Sequence, residues 1–329
     1  MKIQHIIGAD LSKKAIDLYC YQFGSYLKIE NSYSGFQVLI KWMKEQGVDP
    51  SETMIVMEHT GLYSFCFEHF LHHDHISFCK VNALAIKRSM GIVRGKTDKL
   101  DAARIATYGY QKRETLVATG PVSDDLARLQ MIYSTRERLV RQRASLICAV
   151  KEYRHIGLSE KDIIMASQVR IIKNLDREIE KLVKEMGSIV DKQKSMKQNF
   201  SLLTGITGVG PIIALTVIIK THNFTRFSDA RKFACFCGTA PFEHSSGTSI
   251  RKHSRVSHLA DKKMKSLLDL AAKSAIQHDK ELKQYYLKRT EGGKSKMSTI
   301  NIIRNKLLYR MFAVIKRQTP FLKSYPQVA

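Results

Sequence analysis

Acid is what this chain has least of. Its 329 residues carry 30 Asp and Glu against 54 Lys and Arg, a formal net charge of +24. The excess is uneven: residues 1–100 hold 12 basic and 10 acidic side chains, whereas residues 201–329 hold 23 and 7. A one-sign field of that size is the footprint of a polyanion binder, because each phosphate neutralised releases condensed counterions. Other features are missing too. The six cysteines form no Cys-x-x-Cys repeat and lie mostly in apolar segments, which speaks against a zinc ribbon or disulfide framework and for reduced, buried thiols in a cytosolic protein. No run approaches 18 consecutive apolar residues, and the start of the chain enters a strand with no signal-peptide apolar region. The expectation is a soluble, cytoplasmic protein with no membrane partner.

The few acids are placed with economy. Asp10 follows the apolar run Ile3–Ala9 and Glu58 follows Thr53–Met57; both runs are short and rich in β-branched residues, as in strands buried in a sheet. Asp98 and Asp101 stand three apart where the pattern turns helical, so they share a helix face with Cβ atoms roughly 5–6 Å apart. Any one of these acids is ordinarily a cap or a solvated charge. Four together, on rigid elements, suit Mg²⁺, which takes carboxylate oxygens and completes its shell with water and substrate phosphate.

Along the chain, residues 1–115 alternate strand and helix. Strands are expected near 3–9, 15–23, 25–30, 53–57 and 76–81, and helices near 33–46, 61–72 and 98–112, an α/β layer opened by a hairpin. Residues 123–195 contain no Pro and only two Gly, and apolar residues recur at three and four, as in long helices of an antiparallel or intersubunit coiled coil. Residues 200–329 read as mostly helical, interrupted by a Gly/Ser-rich loop.

Two motifs mark that last region. Leu203–Pro211 is a glycine-rich turn, including Gly208 and Gly210, before the apolar run Ile212–Ile219; it resembles a helix-hairpin-helix element, whose backbone amides grip a DNA phosphate. His244–Arg255 crowds hydroxyls around Gly247 beside Arg251, Lys252 and Arg255. From residues alone it is either a phosphate-binding loop or the seat of a serine nucleophile. The three cations are candidate phosphate contacts, and each taken singly is equally a solvated surface charge.

Asp10-Leu11-Ser12-Lys13, Glu58-His59-Thr60-Gly61, Asp98-Lys99-Leu100-Asp101-Ala102, the Gly205–Gly210 turn and Ser246-Gly247-Thr248-Ser249 occur in the order found in DEDD-type insertion-sequence transposases related to the Piv DNA invertase. The resemblance spans nearly the whole chain. It implies a RuvC-like (RNase H-like) α/β domain over 1–115, a helical coiled-coil linker over 116–198, and a mostly α-helical transposase domain over 199–329. It also implies that Asp10, Glu58, Asp98 and Asp101 hold Mg²⁺ and that Ser246 is a nucleophile. Further implications are double-stranded donor and target DNA, a structured bridge RNA as guide, a homo-oligomer (dimer or tetramer), and a prokaryotic cytoplasmic enzyme associated with the nucleoid during action. Two rivals come from other classes: a Holliday-junction resolvase-like nuclease using only the tetrad, and a non-catalytic nucleic-acid-binding protein with a degenerate domain.

Overall fold

The computed structural model describes residues 3–322 except 60, 92–93, 121–122 and 247–249; the side chains of Leu62 and of residues 244–253 are likewise not described. The chain divides into two compact units, Met1–Pro121 and Val122–Ala329.

The first unit is built on a five-stranded mixed sheet of order β3-β2-β1-β4-β5. Strands β1 (His5–Leu11), β2 (Ala15–Cys20) and β3 (Ser25–Glu30) form an antiparallel meander, while β4 (Thr53–Glu58) and β5 (Ser77–Val81) add in parallel on the other side of β1. Both faces are covered, which is why the strands read as near-continuous apolar runs. One face packs α1 (Tyr33–Glu45) and α2 (Phe65–His73) through Phe36, Phe67, Phe70 and Trp42; a short α3 (Ala83–Ser89) and α4 (Asp98–Lys112) lie on the other. α4 rests directly on β1: a Cβ on Gly8 would meet the Ala102 carbonyl oxygen and the Ala106 amide nitrogen, each at 2.3 Å.

The second unit opens with α5 (Asp124–His155) and α6 (Ile163–Lys192). Asp125 meets Gln193 at the base and Arg143 meets Asp176 further along, so the helices run antiparallel within one chain. Their basal residues Leu126, Leu129, Met186 and Ile189 share one core with α7 (Lys194–Thr204), α8 (Pro211–Thr221), α9 (Ala230–Phe236), α10 (Lys262–His278), α11 (Lys280–Glu291) and α12 (Lys296–Arg317). The helical middle and the C-terminal part thus lie within one compact unit.

Three details differ from the sequence reading. Asp10 lies inside β1 and not beyond its end. The Gly/Ser-rich loop is a β-hairpin, β6 (Pro241–Ser246) paired with β7 (Ile250–Val256). Of the cysteines, which are all free, Cys66 and Cys148 are exposed. Among the described residues no helix is long and apolar enough to cross a membrane.

Candidate acidic site and serine hairpin

The acidic site is assembled from one end of the first sheet. Asp10 and Glu58 follow the last registered parallel pair of β1 and β4, Ala9 and Met57, so both carboxylates leave adjacent strands at one level. The turn after Asp10 is tied by Ser12, whose hydroxyl donates to the Ala15 carbonyl at 2.8 Å and accepts from the Ala15 amide. Asn31 then donates to the carbonyls of Ser12 and Tyr63, each at 2.9 Å, joining the turn behind Asp10 to the segment behind Glu58. Asp98 and Asp101 come from the first turn of α4. Thr97 caps that helix by accepting from the Leu100 amide, and acids are favoured there by the helix dipole.

The four acids share one electrostatic environment. Burial, then Asp101, Glu58, Asp17 and Asp98 in falling order, push Asp10 from its ordinary 3.8 to about 6. Burial first and Asp101 second raise Glu58, against the pull of Lys96. Like charges held this close favour either protons or a cation. The donor set is all carboxylate oxygen, which fits a hard divalent ion. As the side chains stand, no three His, Cys, Asp or Glu groups among the described residues converge closely enough to hold one. Two of them are paired with cations: Arg104 Nη1 donates to Asp101 Oδ1 at 2.7 Å, and Lys28 Nζ lies 3.4 Å from Asp98 Oδ2.

One acid escaped the sequence reading. Asp17, only 3% exposed, sits on β2 directly across from Asp10, accepts a hydrogen bond from the Tyr26 hydroxyl, and lies 3.4 Å from Lys28 Nζ. Asp17 first of all holds the Lys28 ammonium protonated above its usual range. The available signal was an acid flanked by Ile16 and Leu18 in a strand beside an edge strand carrying a lysine in register.

In the second unit, Ser246 closes β6 and registers with Ile250, while Ser245 faces Arg251 and His244 faces Lys252 across the hairpin. Arg255, opposite Phe242, is exposed. The side chains of Ser246, Arg251 and Lys252 lie outside the described residues, as do Gly247, Thr248 and Ser249 altogether. The glycine-rich turn between α7 and α8 borders an open hollow of about 400 Å³ that also includes Ser274. Gly208 has φ +91°, and a Cβ there would meet the Ala271 carbonyl oxygen of α10 at 2.5 Å, so packing alone demands glycine. Gly210 caps α8, and a Cβ there would enter open space.

The first unit thus carries an acidic cluster on β1, β4 and α4, and the second a hairpin whose sequence is rich in Ser, Arg and Lys. Residues 7–153 match a DEDD-type IS110 transposase domain, and residues 200–287 match the transposase IS116/IS110/IS902 family. The chain is 28% identical over 332 residues to the pilin gene-inverting protein of Moraxella bovis, covering 96% of this chain and 97% of that one. The corresponding protein of Moraxella lacunata matches with the same identity and coverage. The chain belongs to the IS110 transposase family that includes these DNA-inverting relatives, and it is a DNA recombinase or transposase.

Proposed function

We infer that this protein exchanges DNA strands through a serine-linked intermediate, with Asp10, Glu58, Asp98 and Asp101 as a Mg²⁺-binding tetrad on a RuvC-like domain. The observation that carries the reading is the gathering of the four acids at one end of the first sheet, where burial first, and then Asp101, Glu58, Asp17 and Asp98, raise Asp10 to about 6. The strand order β3-β2-β1-β4-β5, an antiparallel meander continued by parallel strands, supports the RuvC-like assignment. Asp10, Glu58, Asp98 and Asp101 would hold the Mg²⁺, which would supply neutralisation of the charge developing on a phosphodiester. Ser246 Oγ forms the bond to phosphorus and loses its proton; the bond from phosphorus to the 3′ oxygen breaks, and that oxygen gains a proton. Reversal against a new 3′ hydroxyl completes the exchange, with no net change in phosphodiester bonds. Asn31 and Arg104 position the loops and Asp101, and Arg251, Lys252 and Arg255 beside the serine, with the turn at Gly208 and Gly210, contact the DNA backbone. A structured bridge RNA serves as the guide and the working form is a homo-oligomer; the large positive excess supports a second polyanion beside the DNA.

Purified wild type and Ser246→Ala are to be compared on a suicide substrate in magnesium buffer. The variant is expected to lose recombination and the covalent protein–DNA adduct, yet bind DNA near the wild-type level, since one neutral hydroxyl contributes only about 0.5–1.5 kcal/mol. Cleavage by Ser246→Ala without an adduct would instead identify a nuclease that uses the tetrad alone. An adduct mapped by mass spectrometry to Ser245, Thr248 or Ser249 moves the nucleophile. RNA sequencing of the purified complex tests the guide: the absence of one defined structured RNA removes that element.

A further inference from the structure

Five carboxylates share one end of the first sheet, and two cations are bound among them. Their tethers differ. Arg104 pairs with Asp101 at 2.7 Å while its other terminal nitrogen donates to the Gly95 carbonyl at 2.8 Å, and its side chain is mostly covered. It is fastened to backbone as well as to acid. Lys28 lies at the same 3.4 Å from Asp17 Oδ1 and from Asp98 Oδ2, and its side chain is 52% exposed. Its two partners are unlike each other: Asp17 is buried and also bonded by Tyr26, whereas the Asp98 side chain is 67% exposed on the first turn of α4.

Asp17 is not one of the four motif acids, and a buried carboxylate is costly unless paired. The sheet register explains what it does. Asp10, Asp17 and Lys28 form a row across β1, β2 and β3, so Asp17 anchors an edge-strand ammonium on the face where α4 presents Asp98. A lysine is a compact charge on a flexible stem and suits exchange; a guanidinium tied to a carbonyl suits permanence.

We propose that Lys28 is the resident cation of the acidic site: Asp17 holds its ammonium at Asp98, and a divalent ion that takes Asp98 displaces Lys28, which Asp17 retains. The inference rests on the metal-binding reading of the tetrad. While the metal is away, Lys28 limits repulsion among the acids; when the metal arrives, the Lys28–Asp98 contact is what it must displace. The strength of that contact is therefore subtracted from metal affinity.

The test is calorimetric titration of Mg²⁺ into the full-length protein without nucleic acid, with thermal melting followed in parallel. Lys28→Met and Lys28→Gln are expected to bind Mg²⁺ about two- to five-fold more tightly than wild type, the range an exposed ion pair supports. Their metal-free forms melt lower, and the melting rise on adding Mg²⁺ is larger. Lys28→Arg, which keeps the charge, stays near wild type. Unchanged or weakened Mg²⁺ binding in both neutral variants, with normal far-ultraviolet circular dichroism, overturns the proposal. Asp10→Asn separates the two failures. If wild-type Mg²⁺ binding does not depend on Asp10, the tetrad reading falls and Lys28 with it; if it does and the Lys28 variants bind like wild type, only the role of Lys28 falls.

Discussion

A carboxyl pushed from 3.8 to about 6 by burial and four neighbouring acids is costly to ionise in the folded protein. Because the folded value lies above the unfolded one, the protonated carboxyl favours the fold below pH 3.8, and that advantage is lost as pH rises through about 6. A shift of this size corresponds to ~3 kcal/mol at full strength, and solvent screening at a partly exposed site reduces it to about 1 kcal/mol. In metal-free buffer at pH 8, Asp10→Asn is therefore expected to be more stable than wild type by about 1 kcal/mol. The gap should shrink as pH falls through 6 and close near pH 4, while recombination is absent throughout. Urea unfolding across that range, with EDTA present, measures it. An Asp10→Asn protein no more stable than wild type at pH 8 contradicts the crowding of acids around Asp10.

The element that sets the geometry of the site is α4, and a single glycine lets it approach. Gly8 touches α4 backbone on both sides, so a methyl group there cannot be absorbed by a side-chain rotation. Gly8→Ala is expected to lose about 3 kcal/mol, at the upper end of overpacking costs, and to lose recombination with it, because α4 carries Asp98 and Asp101. Gly210→Ala, facing open space, serves as the contrasting variant, with stability within about 0.5 kcal/mol of wild type. Comparable unfolding midpoints for Gly8→Ala and wild type would mean α4 is not seated on β1. Elements of this kind were legible in the sequence, since β1 and β4 are short apolar runs and α4 begins where the pattern turns helical at Asp98. The β6–β7 hairpin was not. Pro241, Phe242 and Glu243 are exposed, and the partner strand is dense with Arg, Lys, His and Ser, so no alternation of buried and solvated residues announced it. Asp17 was hidden for the opposite reason: in Ile16-Asp17-Leu18 an acid reads as solvated, whereas it is buried and bonded by the Tyr26 hydroxyl. The pairing of Lys28 with an acid of α4, 70 residues away, is set by tertiary contact alone.

For the whole molecule the governing quantity is the division of charge between the two units. Residues 1–121 hold 15 basic and 12 acidic side chains, whereas residues 122–329 hold 39 and 18. The unit with the candidate acidic site is close to neutral; nearly all the positive excess lies in the unit with the serine hairpin. Duplex DNA affinity is thus expected to reside in residues 122–329 and to fall steeply with salt, by about 0.9 in log–log slope for each phosphate contacted. Removing a cation that touches backbone phosphate lowers that slope by about 1 and weakens all sequences alike. Arg255→Ala, on the exposed face of β7, is the variant to measure beside wild type and the separate 1–121 fragment in salt titrations of DNA binding. A fragment 1–121 that bound DNA as tightly as the full chain, with the same slope, would show that the charge-rich unit is not the one that holds the duplex.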